Sequence, residues 1–121
     1  MKANITKSFT FDSAHFLPNV IKNHKCGRIH GHTFRCTLEI SGEVNAEYGW
    51  VLDFGEIKKL IIPVKETLDH RFLNKDVPGL ENPTSENICR WVWDRLKPDL
   101  PLLISVTLSE TCTTSCIYYG S

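Results

Sequence analysis

The run HGHTFRCTLEIS at residues 30 to 41 alternates so strictly that it reads as a strand with one face covered. His30, His32, Phe34, Cys36, Leu38 and Ile40 fall on one side, and Thr33, Arg35, Thr37, Glu39 and Ser41 on the other. That period of two is the mark of a half-buried strand. Such a strand needs a partner strand for its backbone and a further layer over its apolar row. Residues 5 to 15 supply the partner, with Ile5, Phe9, Phe11, Ser13 and His15 on one face against Thr6, Ser8, Thr10 and Asp12.

From residue 53 the period becomes helical, with Phe54, Ile57, Leu60, Ile61, Val64 and Leu68 in one stripe. Asp53 is placed as N-cap, Glu56 to close a capping box, and Pro63 to kink the helix. PTSEN at 83 to 87 opens a second helix capped by Thr84, carrying Ile88, Val92 and Leu96 and stopping before Pro98. Leu102, Ile104, Val106, Leu108 and Glu110 then share a face, and a turn-rich ETCTTS leads to a last strand at 117 to 119. The order ββααββ predicts an α+β fold, one domain over residues 1–121. Its antiparallel sheet carries two helices on one face, since no strand alternates with a helix as a parallel sheet requires. Short edge strands would be open to pairing with other copies.

The 14 Lys and Arg cancel the 14 Asp and Glu, so the chain lacks the charge footprint of a nucleic-acid or anionic-membrane partner. A small molecule or another protein is the expected partner. The N-terminal MKANITKSFTFDSAHF lacks the continuous apolar run of a signal peptide, and no stretch approaches the roughly 20 apolar residues of a membrane span. Five scattered cysteines, an odd number, predict reduced thiols in the cytoplasm.

His30 and His32 are two apart on a strand and present both imidazoles to one side, with Gly31 adding no bulk between them. Antiparallel pairing of the first two strands brings His15 to the same place on the same face. Three neutral nitrogens suit zinc and leave a tetrahedral position open for water or substrate; iron and nickel fit the same residue types, and half-buried histidines with hydrogen-bond partners are the structural alternative. A cupin-like site would add a later carboxylate, but Glu39 has the wrong parity on its strand.

Cys26 precedes this strand between Lys25 and Arg28, where positive charge favours the thiolate. It borders the open side of the ion as a reactive thiol, or folds back as a fourth, structural ligand. Cys36 and Cys89 fall at core positions, and Cys112 and Cys116, spaced CxxxC, match neither a redox nor a zinc-ribbon motif. Asp69 and His70 in LDHRFLN offer a carboxylate and an imidazole for proton transfer, or a solvated loop pair. Glu110 closes an inward apolar row, so it must pair, titrate or bind something unless that strand end reaches solvent.

FTFDSAH, HKCGRIHGH, GWVLDF, LDHRFLN, PGLENPTSE and ETCTTSC, in this order and nearly end to end, resemble the 6-pyruvoyl-tetrahydropterin synthase family. The CxxxHGH spacing resembles its queuosine-pathway branch. The resemblance implies a tunnelling fold, in which subunits join edge to edge into a barrel, a hexamer being favoured, with active sites at subunit interfaces. It implies zinc on His15, His30 and His32, Cys26 as catalytic acid/base helped by Asp69 and His70, and Glu110 as pterin anchor and part of the proton relay. The implied reaction turns 7,8-dihydroneopterin triphosphate into 6-carboxytetrahydropterin, releasing acetaldehyde and triphosphate; Lys25 and Arg28, cations flanking the thiol, are expected to meet that strongly anionic triphosphate. A pyruvoyl product, or a pterin- or purine-binding oligomer without turnover, is the alternative.

Overall fold

The computed structural model describes every residue from Met1 to Ser121. Strands β1 (Lys2–His15) and β2 (His30–Glu43) pair antiparallel along their whole length, from Lys2 opposite Glu43 to His15 opposite His30. Helix α1 (Phe54–Leu68) follows, then a two-residue strand β3 (Arg71–Phe72), a single turn α2 (Leu73–Asp76), helix α3 (Ser85–Leu96), β4 (Leu103–Ser109) and β5 (Cys116–Tyr118). The sheet order is β3-β1-β2-β4-β5.

The fold is α+β, as the sequence predicts, with four differences. The sheet is mixed, because β3 runs parallel to β1 beside Ser13 and Ala14. A third, one-turn helix is present, and the last strand lies one residue earlier than expected. Strand β4 also changes parity. Ile40 pairs with Leu103 and Glu39 with Ser105, so Ile104 is the extra residue of a β-bulge. Leu103 is therefore buried, while Ile104 is 37 % and Leu102 40 % exposed.

The helix-covered face holds the core: Phe9, Phe11, Phe34, Leu38 and Ile40 from β1 and β2, Leu103, Val106 and Leu108 from β4, Ile57, Ile61 and Leu68 from α1, and Ile88 and Val92 from α3. Thr6, Thr10, Asp12, Thr33 and Arg35 stand exposed on the opposite face. Asp53 caps α1 by accepting from the Gly55 N–H at 2.9 Å, but Glu56 turns to Lys59 instead of closing a box. Phe54 is half out of the stripe assigned to it, at 51 % exposure. The helix runs through Pro63 to Leu68. Thr84 caps α3 by accepting from the Asn87 N–H.

Strand β3 covers only Ser13 and Ala14, so most of the outer edge of β1 has no strand beside it. Lys7, opposite core residue Leu38, stands on the helix-covered face of that edge. No helix is long and apolar enough to cross a membrane.

Candidate active site

The β1–β2 register determines where the imidazoles lie. His15 and His30 are direct partners and His32 faces Ser13, so all three rings lie on the helix-covered side at one end of the ladder. Their ring centroids are 4.6 Å apart for His15 and His30, 4.9 Å for His30 and His32, and 5.4 Å for His15 and His32. One ring nitrogen from each lies within 4.8 Å of the other two.

Two of the rings are set by backbone carbonyls. His15 Nδ1 bonds to Pro83 O at 2.9 Å and His30 Nδ1 to Arg28 O at 2.7 Å. A carbonyl oxygen only accepts, so each Nδ1 carries the proton and each Nε2 keeps a lone pair. His15 is 1 % exposed and its Nε2 is buried with no hydrogen-bond partner. Burial, opposed by the Pro83 bond and the nearby Glu110 charge, holds the His15 pKa below the ordinary histidine value. A buried, neutral imidazole with an orphaned lone pair and a carbonyl on its other nitrogen is the arrangement of a metal-ligating histidine, and the donor set fits a divalent transition ion.

A cleft of about 410 Å³ opens beside these rings, lined by Lys25, Cys26, His30, His32, Glu110 and Thr111. Its volume lies in the range of small-molecule sites. Cys26 sits in a short 3₁₀ turn, Lys25–Gly27, whose N-cap His24 accepts from the Cys26 N–H, while Cys26 O accepts from Leu17 N–H at 2.7 Å. All five cysteines are free, and Cys26 is half-buried in the cleft. Burial pushes the Cys36 thiol up to about 12 and raises that of Cys89 as well, leaving both unreactive. Glu110 sits at the end of β4, where one carboxylate oxygen accepts from Ser85 Oγ at 2.9 Å and the other lies 3.6 Å from His32 Nε2.

Asp69 and His70 are elsewhere. They follow α1 along the outer edge of β1: Asp69 Oδ1 accepts from the Asp12 N–H at 2.8 Å and the His70 N–H donates to Asp12 O at 2.7 Å. Asp69 Oδ2 lies 3.2 Å from His70 Nδ1, and the His70 side chain is 79 % exposed. The Asp12 N–H, and secondarily His70, hold the Asp69 carboxyl below its ordinary value. Neither residue lines the cleft within one chain. Of the two cations beside Cys26, Lys25 lines the cleft, whereas Arg28 lines an adjoining groove with Lys22 and His24.

Ser85, Thr111 and the Pro83 carbonyl also belong to the site, though periodicity does not single them out. Thr111 follows Glu110 directly, but Pro83 meets His15 across 68 positions of sequence.

A sequence model of the family described as 6-pyruvoyl tetrahydropterin synthase matches residues 4–121. A Synechocystis protein named 6-carboxy-5,6,7,8-tetrahydropterin synthase is 41 % identical over 96 % of this chain and 92 % of its own. A Pyrococcus furiosus protein named dihydroneopterin monophosphate aldolase is 40 % identical over 84 % of this chain and 81 % of its own. The solved Caenorhabditis elegans 6-pyruvoyl tetrahydropterin synthase superposes with a TM-score of 0.92 at 29 % identity, covering 100 % of this chain and 97 % of that one.

Proposed function

The chain belongs to the 6-pyruvoyl tetrahydropterin synthase family and is an enzyme, and from that premise we propose that it converts 7,8-dihydroneopterin triphosphate and water into 6-carboxytetrahydropterin, acetaldehyde and triphosphate, as a cytoplasmic step of queuosine biosynthesis. One observation carries the reading: the half-exposed thiol of Cys26 shares a cleft with His30, His32 and Glu110, in a chain so similar over nearly its whole length to a protein named as that synthase.

His15, His30 and His32 would hold zinc, which when bound lowers the pKa of a ligated hydroxyl and polarises a carbonyl. The sulfur of Cys26 takes the proton from the substrate side-chain carbon. The Glu110 carboxylate accepts from a pterin ring N–H and its neighbouring amino group, a pairing that fixes the ring in one orientation. Lys25 meets the triphosphate. Asp69 and His70 pass protons on the other face of the substrate, and their separation from the cleft in one chain favours a homo-oligomer in which a second copy presents them.

A second reading, action on a dihydroneopterin monophosphate, draws support from the Pyrococcus furiosus relative, whose match covers less of this chain. The test is to incubate zinc-loaded protein with each pterin phosphate, identify products by mass spectrometry and assay acetaldehyde. Carboxytetrahydropterin with acetaldehyde is the expected result. A pyruvoyl product without acetaldehyde moves the protein to the sister reaction, turnover of the monophosphate alone favours the second reading, and unchanged pterin makes the protein a binding module.

A further inference from the structure

The register of β1 with β2 ends at His15, so the sheet does not hold the backbone beyond it. Asn74, in the one-turn helix α2, takes over there. Its Oδ1 accepts from the Phe16 N–H at 3.0 Å and its Nδ2 donates to Phe16 O at 2.8 Å, satisfying both polar groups of the residue that follows His15. The same Nδ2 donates to Glu81 O at 3.3 Å.

Glu81 lies two residues before Pro83 in the irregular segment between α2 and α3, and the Pro83 carbonyl accepts a hydrogen bond from His15 Nδ1. Asn87 steadies that segment from the helix side by donating to Asn82 O at 2.8 Å. One amide thus ties the chain leaving His15 to the chain that delivers the carbonyl on its ring. No other side chain hydrogen-bonds to both segments.

We propose that Asn74 is a positioning residue for the three-histidine site, fixing the tautomer and orientation of His15 by holding Phe16 and the Glu81–Pro83 segment in register. This rests on the reading of the three histidines as a metal site. A ligand ring whose carbonyl partner drifts presents its lone pair less well, and loss of such outer partners typically costs about 10- to 100-fold in metal affinity. Asn74→Ala removes all three bonds. Asn74→Asp keeps the acceptor for the Phe16 N–H but sets a carboxylate against the carbonyls of Phe16 and Glu81.

The experiment measures zinc affinity by competition with a chromophoric chelator, and the cobalt(II) d–d spectrum, for the wild type, both Asn74 variants and Asn45→Ala. Asn45 serves as control because it accepts from the Glu47 and Tyr48 N–H groups beyond the far end of β2. The expected result is a loss of zinc affinity of about tenfold or more in both Asn74 variants with a changed cobalt spectrum, and wild-type values for Asn45→Ala. Wild-type affinity and spectrum in a folded Asn74 variant overturn the proposal, as does an equal loss in Asn45→Ala. If Asn74→Ala fails to fold, Asn74→Asp carries the same measurement. A wild type that binds neither metal overturns the metal reading itself.

Discussion

Cys26 and His30 line the same cleft and are given different work, so they are expected to fail differently. His30→Ala should lose zinc and turnover together, while Cys26→Ala should keep its zinc and lose turnover, read by elemental analysis beside the product assay. Loss of metal from Cys26→Ala would instead make the thiol a structural ligand. Asp69 yields a prediction about acid stability. Its carboxyl is held below the ordinary value by the Asp12 N–H, so it favours the folded state at any pH where the carboxyl is ionised in both states. As pH falls below about 4 the unfolded chain takes up the proton first, and the contribution disappears once the folded carboxyl titrates too. Asp69→Asn should flatten that acid limb in thermal melts taken across it.

Among the elements, β4 gives the sharpest test because its bulge separates neighbours that sequence alternation treats the other way round. Leu103→Ala should cost about 2–4 kcal/mol in urea unfolding, and Ile104→Ala less than about 1 kcal/mol. The opposite order would mean that the bulge is misplaced. The same strand shows what the sequence can and cannot convey. Strands β1 and β2 and helices α1 and α3 are legible because each repeats its period several times, and His30 and His32 inherit their common direction from that period. Strand β3 and helix α2, at two and four residues, are too short to have a period. Ile104 looks like a core residue because a bulge leaves no mark on apolar composition. The links from Ser85 to Glu110 and from Pro83 to His15 join segments 25 and 68 residues apart, and only the folded chain brings them together.

For the whole molecule, the placement of Asp69 and His70 away from the cleft leads to an assembly experiment. Cys26→Ala and His70→Ala should each be inactive alone. Unfolded together and refolded as an equal mixture, they should regain about a quarter of wild-type activity if each site draws the two residues from different copies. No recovery in a mixed oligomer verified by size and mass would place both in one chain. Within one chain, most of the outer edge of β1 is a row of backbone groups with no strand beside it, the kind of template on which fibrils grow. Lys7, on the helix-covered face of that edge opposite Leu38, places a charged residue on the side that a stacked neighbour would need dry. A charge there makes indefinite stacking costly while leaving specific pairing possible, so this lysine is expected to matter most for solubility wherever that edge stays uncovered.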